Sequence, residues 1–163
     1  EPEKQKLIKL LDKPIDAGLY NTLCYFLLAC YTGFRHTAWS TFTPDTMIVR
    51  DVVRLRAKKN KTWVMLPIGK TLSDVIARIK IIGPPVSLNK CNGHLKVLQL
   101  MAGLEKEITT HAGRHSFGAM CAYMKIPRIV TAELMGITEK QVAVYYHLTG
   151  MNIKDQAAVL KEV

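Results

Sequence analysis

Three short motifs in this chain combine residue types that could cleave a phosphodiester. Thr32-Gly33-Phe34-Arg35 supplies one arginine, His111-Ala112-Gly113-Arg114-His115 supplies a second arginine between two histidines, and Tyr145-Tyr146 supplies phenols near the C-terminus. A phosphodiester resists attack because its oxygens are already negative, so a catalyst must neutralise charge and position a nucleophile in line. Guanidinium groups bind such oxygens in a bidentate manner. The motifs therefore predict phosphate binding by the arginines and attack by a tyrosine, without a metal ion.

The spacing of apolar residues predicts the helices that position these motifs. Helical spacing covers residues 3–11 and 16–31, and Gly33 ends the second segment, so Arg35 is expected just beyond a buried helix. Further helices are predicted at 71–80, 88–102, 111–124, 128–135, 139–148 and 152–162. The motif with two histidines opens one of them. Its first histidine and its arginine are three residues apart and should share a helix face.

Residues 47–68 have a different pattern, which is typical of β-structure. Three short β-prone runs lie there, Ile48-Val49, Val52–Leu55 and Trp63–Leu66. Asp51 and the basic turn Lys58–Lys61 separate them, which predicts a small sheet with a basic hairpin tip. The chain is therefore interpreted as a single mainly helical (α+β) domain, residues 1–163, with a small antiparallel β-sheet.

Composition narrows the class of protein and its partners. The 163 residues are 48% hydrophobic, enough for one core, and 23 Lys plus Arg against 13 Asp plus Glu give a net charge of +10, which favours a polyanionic partner. Four cysteines lack any C-x-x-C pairing and are expected to be buried thiols, Cys24, Cys30, Cys91 and Cys121. The apolar run 19–31 is shorter than the ~20 residues that cross a bilayer. With no secretory signal, a cytoplasmic location is expected.

The ordered motifs resemble those of the catalytic domain of tyrosine recombinases, the phage-integrase family, and are most similar to integrases of mobile elements from Bacteroides-type bacteria. Residues 32–35 match the family's T-G-x-R, residues 111–117 match H-x-x-R-H-[ST]-F, and residues 88–96 resemble its N-x-x-L-K helix. The resemblance covers nearly the whole chain. It implies a helical tyrosine-recombinase catalytic domain in a bacterial, nucleoid-associated protein. It also implies cofactor-independent cleavage and rejoining of double-stranded DNA at attachment sites through a 3′-phosphotyrosine.

The resemblance also implies roles for individual residues. Arg35 and Arg114 would clamp the scissile phosphate, and His111 would assist proton transfer. A general-acid lysine is implied on the β-hairpin, and its spacing from the strand end at residues 64–68 selects Lys59. A lysine there can protonate the leaving 5′-oxygen if its pKa is tuned by phosphate contact. Its neighbours Lys58 and Lys61 are alternatives for the same role.

The nucleophile must be one of two adjacent tyrosines. Neighbouring residues of a helix point ~100° apart, so one of them faces the phosphate. Aligning Thr138-Glu139-Lys140 with a similar family segment selects Tyr145, and His147 matches the family's Y-x-H ending. Tyr145 is therefore favoured, and Tyr146 is the alternative.

Two positions depart from the family pattern. The acidic residue expected three positions after the first arginine is replaced by Ala38, and the expected G-H histidine or tryptophan is missing from Leu134–Ile137, where Gly136 is the match. His115 is interpreted as a structural partner of its helix that could partly replace the missing histidine. The accessory candidates are thus His115, Gly136 and Tyr146. These departures bear on activity more than on the fold.

Contacts outside the site are expected with DNA and with protein. Basic residues around the hairpin are predicted to bind the DNA backbone, Arg54, Arg56, Lys58 and Lys61. Residues 150–163 are predicted to form a tail helix that packs either on a neighbouring protomer or on its own domain. The chain is expected to be part of a longer integrase whose N-terminal core-binding domain completes a clamp around DNA.

Two other functions stay open on the sequence. A catalytically degenerate DNA-binding module of the same fold would explain Ala38 and Gly136. A relaxing enzyme of the type IB topoisomerase kind would share the chemistry and act without partner protomers.

Overall fold

The computed structural model describes residues 2–39, 41–56 and 63–148, with residues 55, 56, 147 and 148 described by their backbone alone. The helices are α1 (Pro2–Ile8), α2 (Ala17–Thr32), α3 (His36–Trp39), α4 (Pro44–Met47), α5 (Lys70–Ile82), α6 (Leu88–Met101), α7 (Thr110–Tyr123), α8 (Arg128–Met135) and α9 (Glu139–Leu148). A 3₁₀ turn, Lys9–Asp12, follows α1. The strands are β1 (Ile48–Val49), β2 (Val52–Arg56) and β3 (Trp63–Pro67).

The α2 helix is the centre of the core. It begins at Asp16, whose carboxylate accepts the backbone N–H of Gly18 at 2.7 Å and thereby caps the helix. It ends at Gly33, which has φ 69° and donates its N–H to the Ala29 carbonyl at 2.8 Å. Every residue from 21 to 30 is buried, because α5, α6 and α7 pack around this helix.

Two polar residues interrupt the apolar face of α2, and both are paired. The Asn21 side chain donates to the Pro84 carbonyl at 2.9 Å and accepts the Val86 N–H at 3.2 Å. The Thr22 hydroxyl is hydrogen-bonded to His94 at 2.9 Å. Buried polar groups are tolerated when they are hydrogen-bonded, so these residues fix the loop before α6 and α6 itself against α2.

No described helix has the length and apolarity needed to cross a membrane.

The three strands form one antiparallel sheet in the order β1-β2-β3. Val53 of β2 lies opposite Ile48 on one side and Leu66 on the other. Along β3, Val64 and Leu66 are buried, whereas Trp63 and Met65 are exposed. This alternation gives the sheet one face on the core and one face to solvent.

The fold class predicted from the sequence is confirmed, and the long elements begin and end within a few residues of their predicted bounds. The short helices α3 and α4 were not predicted, because a single turn has no apolar periodicity to recognise. Tertiary contacts hold α3 instead, since the fully buried Trp39 stacks on Tyr25 with ring centroids 6.1 Å apart. The predicted tail helix at 152–162 lies outside the described residues.

The four cysteines are buried and form no disulfide among the described residues, as the sequence predicted. Burial raises the pKa of the Cys24 thiol to about 11 and also raises the pKa values of Cys91 and Cys121. These thiols therefore stay protonated at neutral pH. In the part of the chain that the structure describes, His, Cys, Asp and Glu side chains form no cluster that could hold a metal ion.

Candidate active site

The α7 helix brings the second motif against the end of α2. Gly113 allows this close approach, because a Cβ added there would lie 2.9 Å from the Ala29 Cβ and 3.2 Å from the Phe26 carbonyl oxygen. Gly33 meets the same helix from the other side, since a Cβ there would lie 2.7 Å from the Phe117 ring. Larger residues at either glycine would push the two motifs apart. The packing of α7 on α2 therefore fixes the separation of the two predicted arginines.

Arg114 connects the ends of two helices. Its Nη1 donates to the Gly33 carbonyl at 2.5 Å, and its Nη2 donates to the Met135 carbonyl at 2.6 Å. Carbonyl groups at helix C-termini lack partners in their own helix and carry partial negative charge, so they are good acceptors for a guanidinium. The side chain is only 8% exposed. Among the described residues, two of its five N–H groups thus fix its position and the others have no described partner.

Arg35 adds a second positive charge near Arg114. It follows α2 directly and is exposed, and its carbonyl accepts the Ala38 N–H at 2.8 Å. Burial and the charge of Arg35 lower the pKa of the Arg114 guanidinium to about 10, so Arg114 stays charged at neutral pH. Among the described residues, no carboxylate contributes to this pKa. Two nearby guanidinium groups, paired with no carboxylate in the described part of the chain, are suited to binding an anion.

Tyr145 of α9 lies close enough to Arg114 for the two charges to interact. The hydroxyl is hydrogen-bonded to Nδ1 of His115 at 2.9 Å, and the two rings lie 5.7 Å apart. The residue is 6% exposed. Burial raises the pKa of the Tyr145 phenol, and the charge of Arg114 opposes that rise. The charge of Arg114, which would bind a phosphate, therefore also acts on the Tyr145 hydroxyl.

Tyr146 has a different environment, although it is the next residue. Its hydroxyl donates to the Ile126 carbonyl and is hydrogen-bonded to the Thr131 hydroxyl at 2.7 Å. These contacts join α9 to α8 and to the loop before it. The described contacts thus connect the Tyr145 hydroxyl to His115 of α7, and the Tyr146 hydroxyl to the core.

Gly118 is a residue of this site that the sequence interpretation missed. A Cβ added at Gly118 would lie 2.6, 2.7 and 2.8 Å from three carbons of the Tyr145 ring. The ring therefore lies directly against the α7 backbone, one turn beyond His115. The sequence did contain a signal for it, a glycine inside a predicted helix. Glycine destabilises a helix by ~1 kcal/mol relative to alanine, so its presence there indicates a close packing contact.

Replacing Gly118 with alanine should displace the Tyr145 ring and pull its hydroxyl away from His115. A misplacement of about 1 Å at a reacting group can cost ~10²-fold in rate, so covalent attachment to DNA should fall by about that factor. Single-turnover cleavage assays would measure the loss. Gly93→Ala in α6 is the matched control, because its added Cβ would meet nothing within 4 Å. Equal activity of the two variants would contradict the packing described for Tyr145.

The other predicted site residues are only partly described. His111 and His115 are exposed on α7, with ring centroids 6.0 Å apart. Gly136 ends α8 with φ 59°, so it shapes the turn that presents the Met135 carbonyl to Arg114. Arg54 is exposed on β2. Lys58, Lys59, Lys61 and the side chains of Arg56 and His147 lie outside the described residues, as does the segment 150–163.

The fold is similar to those of solved site-specific recombinases, although no protein-family model and no curated protein sequence matches the chain. The XerH site-specific recombinase, solved in a post-cleavage complex with its difH substrate, matches 98% of this chain with a TM-score of 0.72 and 16% identity. The XerA recombinase matches 99% with a TM-score of 0.72 and 14% identity. The Tn1549 transposon integrase, solved with a circular intermediate DNA, matches 99% with a TM-score of 0.74 and 14% identity.

This chain spans 52% of the XerH chain and 63% of each of the other two. The matches therefore cover nearly all of this chain and part of each larger protein. The chain has the fold of a tyrosine-recombinase catalytic domain, a mainly helical unit with a small antiparallel sheet.

Proposed function

We propose that this chain is the catalytic domain of a site-specific DNA recombinase that cleaves and rejoins DNA through Tyr145, for integration or excision of a mobile element. The observation that carries the proposal is the hydrogen bond of the Tyr145 hydroxyl to His115, close to Arg114, whose pKa the charge of Arg35 lowers and no described carboxylate raises. A phenol next to an anion site is the arrangement that attack on a phosphodiester needs.

The two arginines would bind the non-bridging oxygens of the scissile phosphate. Arg114 supports this role because its hydrogen bonds to Gly33 and Met135 hold the guanidinium in place before any substrate arrives. The Tyr145 oxygen would then attack phosphorus, form the 3′-phosphotyrosine bond and release the 5′-oxygen. That oxygen takes a proton, for which the resemblance selects Lys59. Attack by a 5′-hydroxyl reverses the step and rejoins the strand.

Double-stranded DNA is the proposed partner. The net charge of +10 and the exposed Arg54 on β2 support contacts with the DNA backbone. Arg56, Lys58 and Lys61 are proposed to extend that surface along the hairpin. The XerH and Tn1549 structures contain DNA. An N-terminal core-binding domain and neighbouring protomers on DNA are further proposed partners, and the tail 150–163 is proposed to contact one of these protomers.

A degenerate DNA-binding module is the second candidate, and one observation favours it. Ala38, three residues after Arg35, is half-buried where the resemblance expects an acidic residue, and no described carboxylate contributes to the pKa of Arg114. Such a module would bind DNA through the same charges and form no covalent bond. Losing one group that stabilises the transition state can cost ~10²–10³-fold in rate. The rate of covalent cleavage therefore distinguishes this candidate from the first.

The experiment that separates these functions starts from a pool of DNA duplexes with a randomised core. The protein is incubated with the pool, and duplexes that stay attached in SDS are recovered and sequenced. Supercoiled plasmids carrying two copies of the recovered site then report the reaction. Deletion or inversion between the sites supports the recombinase, whereas relaxed plasmids without exchange support a topoisomerase-like enzyme. DNA binding without any adduct supports the degenerate module and overturns the proposal.

A further inference from the structure

The Tyr145 hydroxyl is paired with a histidine other than the one that family resemblance assigned to proton transfer. That assignment selected His111. In the structure, Nδ1 of His115 lies 2.9 Å from the Tyr145 hydroxyl, whereas the described contact of the His111 ring is with His115, at 6.0 Å between ring centroids. The distance of 2.9 Å is that of a hydrogen bond.

We propose that His115 is the proton acceptor that activates Tyr145 for attack on the phosphate, an inference that rests on the proposed function. In this assignment the His115 ring carries its hydrogen on Nε2, and Nδ1 accepts the hydrogen of the phenol. Gly118 supports the geometry, because the Tyr145 ring lies flush against the helix one turn beyond His115 and its hydroxyl reaches that nitrogen. His111 is left free to contact the phosphate.

Two proton transfers accompany each direction of the reaction. As the bond between the Tyr145 oxygen and phosphorus forms, the phenolic O–H bond breaks and its proton moves to Nδ1 of His115. The bond from phosphorus to the 5′-oxygen breaks, and that oxygen leaves with a proton from the general acid, for which Lys59 is proposed. In rejoining, the 5′-hydroxyl attacks phosphorus and gives its proton back to the deprotonated general acid. The bond from phosphorus to the Tyr145 oxygen breaks, and the His115 imidazolium returns its proton to that oxygen. No oxidant, metal ion or other reactant is needed.

Electrostatics support this assignment. The ionisable groups next to His115 are His111 and Arg114 of α7 and Tyr145 of α9. No ionisable group of the described α2, α6 or α8 residues contributes to the pKa of His115. Burial, His111 and Arg114 lower the pKa of the His115 imidazole, so it is neutral at pH 7 and can accept a proton. Since burial raises the pKa of Tyr145, a free phenolate is scarce and an acceptor matters. A bound phosphate would add negative charge beside His115 and favour the imidazolium when the proton arrives.

The test uses a DNA site recovered as above and synthesised with a bridging 5′-phosphorothiolate at the scissile position. A thiolate leaves without protonation, so cleavage of this substrate does not need the general acid and reports activation of the tyrosine. The informative variant is His115→Asn, whose amide oxygen can accept a hydrogen bond near the Nδ1 position but cannot take a proton. We expect it to bind DNA like the unsubstituted chain and to cleave ~10²–10⁴-fold more slowly at pH 7.

The pH profile gives a readout that a purely structural role would not change. Neutral His115 is the active form, so the cleavage rate of the unsubstituted chain should rise with pH and level off above the pKa of His115, which lies below its ordinary value. His115→Asn should lose this rise, and added imidazole should restore part of the rate to His115→Ala. His111→Asn should be slower but keep the rise. Thermal melting of each variant reports whether it folds.

Three results would decide against the proposal. Cleavage by His115→Asn within threefold of the unsubstituted chain, with the same pH profile, would show that a hydrogen-bond acceptor suffices. Loss of the pH-dependent rise in His111→Asn instead would assign the proton to His111. The absence of any adduct from the unsubstituted chain would overturn the proposed function itself. The first two results would overturn only the role of His115, because in both of them the unsubstituted chain still forms the adduct.

Discussion

Tyr145→Phe is expected to reduce covalent attachment to DNA to background while the protein keeps binding DNA. The substitution removes the oxygen that would attack phosphorus and leaves the ring against Gly118. It also removes one hydrogen bond to the exposed His115, so the free energy of unfolding should fall by only about 1 kcal/mol. SDS-resistant adducts and thermal melting measure the two effects separately.

Tyr146→Phe is the matched comparison and should give the opposite result. Its hydroxyl is paired with the Thr131 hydroxyl and the Ile126 carbonyl inside the core, so removing it leaves buried polar groups with one partner fewer. Such a loss lowers the free energy of unfolding by roughly 1–3 kcal/mol. At temperatures below its melting temperature, the variant should still form the covalent adduct. Tyr123→Phe, at a residue 77% exposed, should change neither quantity. Loss of adduct in Tyr146→Phe with retention in Tyr145→Phe would reverse the assignment.

Arg114→Lys is expected to impair both stability and cleavage, although it conserves the charge. A lysine ammonium cannot span the Gly33 and Met135 carbonyls as the guanidinium does, so one buried acceptor loses its partner at a cost of roughly 1–3 kcal/mol. For a domain of this size the melting temperature should fall by about 2–10 °C. Loss of paired phosphate contacts should reduce cleavage by ~10²–10³-fold.

Arg35→Lys is the control that separates the two effects of Arg114→Lys. Arg35 is exposed, and its side chain is not needed to hold the helix ends together. The control should therefore lose cleavage with little change in melting temperature. If Arg114→Lys melted at the same temperature as the unsubstituted protein, the two carbonyl contacts would not support the site as described.

The sequence predicted the long elements because their apolar residues repeat with the period of a helix or a strand. Gly33 was correctly expected to end α2, since glycine accepts the positive φ of 69° found there. The position of Arg35 just beyond this helix follows from the same local signal. The single-turn helix α3 has no such signal, because burial of Trp39 against Tyr25 holds it.

The details of the site depend on contacts between distant parts of the chain. Arg114 reaches a carbonyl 81 residues earlier and another 21 residues later, and no local pattern encodes those distances. The choice between two adjacent tyrosines depends on how α9 is rotated against α7 and α8. His115 was interpreted as a structural partner of its helix, and its contact with Tyr145 became visible only when both helices were in place. The role of Lys59 stays a prediction, because that residue lies outside the described part of the chain.

The most direct test of the account is to identify the residue that becomes linked to DNA. After cleavage of a recovered site, the adduct is digested with nuclease and trypsin, which yields the peptide Gln141–Lys154 with both tyrosines in it. Fragmentation in a mass spectrometer then locates the residual nucleotide within the peptide. We predict that the nucleotide is on Tyr145, joined through its 3′-phosphate. A nucleotide on Tyr146 or elsewhere, or an unmodified peptide from protein that binds the site, would contradict it.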